Sequence, residues 1–254
     1  MPDLFTKGAS NAKTAKGAVK LSIENVILHL APVDLAQKGR SVCPWASKGC
    51  AAACLNTAGR GQITGAVSTE RLEEYSIHSA RIRKTRELFA DRQLFLGKLA
   101  LEIARLQRRA ERLGRTAAVR LNGTSDIPWE SMRFADGSNL MEKFPAVQFY
   151  DYTKGERRFR AFLAGELPAN YYLVFSRSED TPDALVREFC DKGGTVAVVF
   201  RGDALPVRWQ GFPVLDGLAH DFRYLDPRGS IVGLLEKGRA KHDATGFVVG
   251  SGAK

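Results

Sequence analysis

No apolar run in the 254 residues approaches the roughly twenty that a membrane-crossing helix needs. The opening MPDLFTKGASNAKTAKGAVK also lacks the apolar stretch of a secretory signal. Both absences predict a soluble, cytoplasmic protein with no membrane partner, whose thiols stay reduced. Cysteine is scarce, at four residues, and so is histidine, at four. Internal repeats are missing, as is any Pro/Gly/Ser tract that would divide the chain. Residues 1–20, rich in Lys, Gly, Ala, Ser and Thr, read as a flexible basic arm, and 21–254 as one domain. No Gly-rich dinucleotide fingerprint follows the first strand, which disfavours an open doubly wound sheet.

Positive charge, by contrast, is in excess. The formal net charge is +10. Such an excess favours polyanions, so nucleic acid or a nucleotide is the expected partner. The basic residues cluster in RIRKTR (81–86), RLQRRAERLGR (105–115) and KGERRFR (154–160). Two of these clusters lie on predicted helices, where a row of cations is often only a solvated face.

Strand and helix signals alternate. The first strong strand is predicted over Asn25–Ala31, closed by Pro32. A helical region over roughly 68–113 follows, with Ser68 or Thr69 as its cap and Asp91 as a break. Its inward face is predicted from Leu94, Leu99, Ile103, Leu106, Ala110 and Leu113. Then come TAAVRLNGTSD (strand), SNLMEKFP (helix), AVQFYDYTK (strand), GERRFRAFLAG (helix), NYYLVFSRSED (strand), TPDALVREFCDKG (helix) and GGTVAVVFRGD (strand). Thr181 before Pro182 signals a helix start and Gly193 a helix stop. FPVLDGLAHDF and GSIVGLLEKG add two more apolar segments. Short apolar strands between helices indicate a parallel sheet buried on both faces. The expected fold is α/β: a partial or complete (β/α) barrel of about six to seven mostly parallel strands, with a cysteine loop after the first.

Sites in parallel α/β folds form beyond the carboxyl ends of the strands. Here those ends carry Asn122, Thr124, Ser125 and Asp126; Asp151, Tyr152 and Lys154; Ser176, Arg177, Ser178 and Glu179; Arg201 and Asp203; and Asp216, His220 and Asp221. Any one of these can be a turn or cap residue, so the recurrence across strands is the signal.

Cys43, Cys50 and Cys54 fall within twelve residues, in SVCPWASKGCAAACLNTAGRG. Thiolates gathered in a loop hold a soft metal or an iron–sulfur cluster, and three ligands leave one position open. The spacing C-x6-C-x3-C lacks the second cysteine pair of structural zinc sites. Pro44 and Gly49 let the loop bend, and Cys50 and Cys54, one turn apart, can share a helix face. Cys190, among Leu185, Val186 and Phe189, reads as core. His29, His78 and His242 read as structural.

The segments NAKTAKG, HLAP, CPWASKGCAAACLNTAGRG, RLNGTSDIPWE, FYDYTK, FSRSE, AVVF and DGLAHDFRYLDPRGSIVGLLEKG together resemble the phage-associated gene product 88 family. That resemblance covers nearly the whole chain and implies kinship rather than a reaction. It also implies the cytoplasm of a host cell as the location. More distantly, the chain resembles radical S-adenosylmethionine enzymes, which carry a cluster loop after the first strand of a partial barrel. That likeness implies a [4Fe–4S] cluster on Cys43, Cys50 and Cys54, with S-adenosylmethionine on the open iron. Asn122 and Asp126 would then face its methionyl amine, and Ser176, Ser178 and Glu179 its ribose. Asp151, Tyr152 and Lys154 are the candidate catalytic residues, handling substrate or protons. The usual cysteine spacing of that superfamily is shorter on both sides.

Two further functions fit the same residues. One is a nucleic-acid-binding module in which a cluster or zinc only braces the loop. The other is a barrel hydrolase with Asp126, Asp151, Asp216, His220 and Asp221 around a hard metal.

Overall fold

The computed structural model describes residues 3–8, 18–57, 61 and 69–250. Among the described residues ten strands form one mixed sheet, mostly parallel. Its order is β1 (Phe5–Lys7), β2 (Ile23–Leu28), β3 (Thr116–Arg120), β4 (Gln148–Thr153), β5 (Tyr171–Ser176), β6 (Val196–Phe200), β9 (Ile231–Leu235), β8 (Phe212–Asp216) and β7 (Arg208–Trp209). A tenth strand, β10 (Val248–Val249), pairs with β6 off that path. The pairs β2–β3, β3–β4, β5–β6, β6–β9, β8–β9 and β6–β10 are parallel. β1 on β2 and β7 on β8 are antiparallel.

From β1 to β6 spatial order follows chain order. The path ends on β1 and β7, and the described strands do not close into a barrel. The sheet has more strands than the six or seven expected because β1, β7 and β10 span only two or three residues each. Such lengths are too short for an alternating pattern to register.

Among the described residues, α-helices with both ends described are α1 (Lys48–Ala52), α2 (Ser76–Ala90), α3 (Arg92–Arg112), α4 (Leu140–Lys143), α5 (Glu156–Leu163) and α6 (Asp183–Asp191). Internal contacts divide the chain into two compact units. The first is Met1–Pro44, Ile63–Asp151 and Leu167–Tyr172; the second is Trp45–Gln62, Tyr152–Glu166 and Leu173–Lys254.

In the first unit, α3 buries Phe95, Leu96, Leu99, Ile103, Leu106 and Ala110. Each such side chain contributes roughly 1.5–3 kcal/mol on removal from water. Asp91 breaks the helical region as expected. Its extended backbone ends α2, and its carboxylate accepts the Leu94 N–H at 2.9 Å to cap α3. Leu94 and Leu113, expected inside, are exposed instead. The strand expected over Asn25–Ala31 runs over Ile23–Leu28. It stops there because the Leu28 carbonyl accepts the Gly123 N–H at 2.9 Å and the Ala31 N–H turns to Thr85 Oγ1 at 2.9 Å. Of the expected arm, Phe5–Lys7 is strand β1, while residues 9–17 lie outside the described residues. Ser68, one of the two caps proposed for the helical region, also lies outside them.

In the second unit, Phe159 on α5, Phe175 on β5 and Phe189 on α6 make an aromatic cluster with centroids 4.8–5.5 Å apart, in which Phe189 meets the other two rings edge-on. Gly193, at φ +80°, stands just past the end of α6, as its stop signal predicted. Thr181 does not cap that helix. Its hydroxyl accepts the Ser178 N–H at 2.9 Å, and Pro182 holds the cap position without a side-chain bond.

Candidate functional site

The loop after β3, in the first unit, is organised by Asn122. Its side-chain oxygen accepts from Ser125 Oγ at 2.8 Å, Ile127 N at 2.9 Å and Trp129 Nε1 at 3.1 Å. Its amide nitrogen donates to the Ile127 carbonyl at 2.9 Å and Asp151 Oδ2 at 3.3 Å. Its backbone N–H donates to Asp151 Oδ1 at 2.6 Å. An asparagine has one acceptor oxygen and two amide hydrogens, and all are engaged here.

Asp151 is 1% exposed and also receives the Tyr171 hydroxyl at 2.8 Å. Desolvating a carboxylate is costly, and these charge-assisted donors offset the cost.

Cys43 lies against this loop. Its Sγ accepts the Val33 N–H at 3.5 Å and donates toward the Thr124 carbonyl at 3.9 Å. Thr124 Oγ1 donates to the Leu30 carbonyl at 2.5 Å, and the Asp126 N–H to the Val42 carbonyl at 2.9 Å. Asp126 is itself buried. Gly123 makes the close approach possible. A Cβ there would stand 2.7 Å from Ile27 Cγ2 and from the Leu28 carbonyl oxygen. The residues after β3 thus lie beside Cys43.

In the second unit, the turn carrying Cys50 is held by Glu179. Ser47 caps α1 by accepting the Cys50 N–H at 3.1 Å. Glu179 in turn accepts the Ser47 hydroxyl at 2.7 Å and the Gly49 N–H at 2.6 Å. Burial raises the pKa of the Glu179 carboxyl, but the donors from Gly49 and Ser47 outweigh it and hold the group below its ordinary value.

Cys54 falls beyond α1, past the Ala53 cap, with its N–H on the Ala51 carbonyl at 3.4 Å. The shared helix face expected for Cys50 and Cys54 is therefore not formed, because the helix ends first.

Lys154 donates to the Ser176 carbonyl at 3.1 Å, the Ser176 hydroxyl at 2.9 Å and the Arg177 carbonyl at 3.0 Å. Those three bonds use the donors of an ammonium. Its Nζ also stands 4.9 Å from the centre of the Phe247 ring. Arg177 Nη1 donates to the Gly246 carbonyl at 2.8 Å. Ser178 is buried, and its hydroxyl lies 3.2 Å from Thr181 Oγ1. Tyr152 is half-buried on β4.

Cys43, Cys50 and Cys54 form no disulfide, and each is half-buried. Cys190 is 3% exposed, and burial pushes its pKa up to about 12, so the core reading holds. Among the described residues no group of three or more His, Cys, Asp or Glu side chains is gathered closely enough to hold a metal ion. Asp216, one of the carboxylates considered for a hard metal, is exposed and accepts the Leu218 N–H at 2.7 Å.

Sequence reasoning missed Ser47 and Tyr171. Ser47 stands three residues before Cys50, the spacing of a helix cap, and could have been found from that signal. Tyr171 opens an apolar strand and gives no such sign. Gly49 was read as a bend. Its role is also one of space, since a Cβ would meet Thr245, Glu179 and Phe247.

A model of the gene product 88 family matches residues 3–250, and the chain belongs to that family. No curated protein and no solved structure matches it.

Proposed function

We propose that this gene product 88 protein is an iron–sulfur enzyme whose [4Fe–4S] cluster is held by Cys43, Cys50 and Cys54. On this reading its open iron takes S-adenosylmethionine and its substrate is nucleic acid or a nucleotide. The observation that carries the reading is the set of three half-buried cysteines, none in a disulfide, within twelve residues in the loop leaving the first parallel strand. The loop is braced by protein partners at Cys43 and at Cys50.

Three thiolates that leave one position open are a donor set suited to an iron–sulfur cluster. The consecutive run of strands from β2 to β6 supports a partial (β/α) barrel as the frame.

When bound, such a cluster supplies an electron to the sulfonium of S-adenosylmethionine. The chain's own residues hold and orient. Glu179 fixes the Cys50 turn through Ser47 and Gly49. Asn122 and Asp151 fix the loop beside Cys43, and Lys154 fixes the end of β5. These four are positioning residues. Asp126, Ser176 and Ser178 keep the cofactor-facing assignment, and Tyr152 the proton-handling one.

The test is anaerobic purification with iron and acid-labile sulfide analysis. The expected product is brown, with a broad band near roughly 400 nm from thiolate-to-iron charge transfer. Cys43→Ala should lose it and Cys190→Ala should keep it. With S-adenosylmethionine and a strong reductant, 5′-deoxyadenosine should be released. A colourless, zinc-loaded protein would overturn the cluster, and a brown protein releasing no deoxyadenosine would overturn the enzyme.

A further inference from the structure

The outer face of α3 carries an ordered row of cations. Leu94, Lys98, Leu101, Arg105, Arg108 and Arg112 follow one another at steps of four and three residues. At 3.6 residues per turn these six lie within about 80° of one another around the helix. They stand opposite the buried set of Phe95, Leu96, Leu99, Ile103, Leu106 and Ala110. Lys98 is tied to Glu87 at 3.0 Å. Arg105, Arg108 and Arg112 are exposed, and among the described residues none of their guanidiniums has an ion-pair or hydrogen-bond partner.

Their neighbours differ. Arg109 and Arg115 are both held by Glu24, at 3.2 Å and 2.5 Å. The helix dipole favours cations only within the last turn, which accounts for Arg112 but leaves Arg105 and Arg108 unexplained.

We propose that this row is a docking surface for the phosphate backbone of duplex DNA. The three guanidiniums span about 10.5 Å along the helix axis, at 1.5 Å per residue. Each offers the planar fork that matches a phosphate. A row-on-row pairing of two copies does not fit, because either orientation sets arginines against arginines or against Leu94 and Leu101. An exposed helix lies along the wide major groove of B-DNA, whereas the major groove of an RNA duplex is deep and narrow.

The arginine end of α3 stands beside the start of β2, where Glu24 holds Arg109 and Arg115. The Asn122–Asp151 network lies at the other end of these strands. The surface thus anchors DNA away from that network. The inference deepens the nucleic-acid part of the function proposed above and does not depend on the cluster.

The test is fluorescence anisotropy with a labelled 20-base-pair DNA duplex over a salt series. The proteins compared are the full chain, a triple variant Arg105→Gln, Arg108→Gln, Arg112→Gln, and a control Arg187→Gln, Arg228→Gln, Lys237→Gln. The control removes the same charge from exposed sites in the second unit.

Three phosphate contacts contribute about 2.7 to the slope of log affinity against log salt. The first variant should flatten the slope by about that much and weaken binding roughly tenfold or more at low salt. The control should change binding less than about threefold. Cluster absorbance should be the same in all three, which separates this inference from the cluster reading. Equal weakening by the two triple variants would overturn it. So would tighter binding to the RNA duplex of the same sequence, or equal competition by polyglutamate at matched charge.

Discussion

Gly49 shows how little room a functional loop can leave. A Cβ at this position would meet Thr245 Oγ1 and stand 2.7 Å from Glu179 Oε2 and 2.8 Å from Phe247 Cβ. Gly49→Ala should therefore push the Cys50 turn off Glu179. Overpacking of this kind costs roughly 1–3 kcal/mol. Urea unfolding should show that loss, and iron loading should fall with it; an unchanged midpoint would mean that the contact yields freely. Cys190 makes the opposite point. Its thiol is nearly all protonated at pH 8, since burial pushes its pKa up to about 12. In the metal-free native protein a thiol reagent at pH 8 should label Cys43, Cys50 and Cys54 and reach Cys190 only after denaturation. At this scale the sequence was legible where a residue's neighbours in the chain are also its neighbours in space, as with Cys190 among Val186 and Phe189. Glu179 was read as a cofactor contact because its partners, Ser47 and Gly49, lie more than a hundred residues away and no local pattern joins them.

Among the elements, α2 and α3 depend on the single residue between them. Asp91 leaves the helical region with φ −147° and returns its carboxylate to the Leu94 N–H. Asp91→Ala should cost about 1 kcal/mol, the ordinary worth of a side-chain N-cap, read as a lower unfolding midpoint at unchanged denaturant slope. Asp91→Asn should lose much less. This break was visible beforehand, as were the helical segments at Leu140–Lys143, Glu156–Leu163 and Asp183–Asp191, because caps and stops act over three or four residues. The inward face of α3 was read only in part. Leu94 has apolar residues at helical spacing, but Leu94 and Leu101 share the stripe of Arg105, whereas Leu99, Ile103 and Leu106 share the buried one. Periodicity counts apolar residues and does not say which of two stripes faces the sheet. Polar partners decide that, and here Arg105, Arg108 and Arg112 mark the outer side.

The first strand is joined to the rest of its unit by a charged clamp, and that clamp makes the stability of the whole molecule depend on pH. Glu102 on α3 accepts the N–H groups of Leu4 and Phe5 at 2.8 Å and 3.1 Å. Lys84 on α2 donates to the Leu4 carbonyl at 3.0 Å and is 5% exposed. Burial, with Arg81 and Arg83 nearby, pushes the Lys84 ammonium down from 10.5 to about 8, against the smaller pull of Glu102 and Glu87. The folded chain therefore releases this proton before the unfolded chain does. Between about pH 8 and 10.5 the unfolded state binds more protons, so this group's contribution makes stability rise with pH; below pH 8 its full penalty is present. A shift from 10.5 to about 8 corresponds to about 3 kcal/mol. Lys84→Met removes the titration while keeping a long side chain against the strand. The wild type minus Lys84→Met difference in unfolding free energy should therefore climb by about that amount from pH 8 to 10.5. Groups such as Cys190 and Tyr224 titrate in both proteins and cancel in the difference. A flat difference across that window would show that the ammonium is solvated in the folded chain and that Glu102, without Lys84, is the charged partner of the strand.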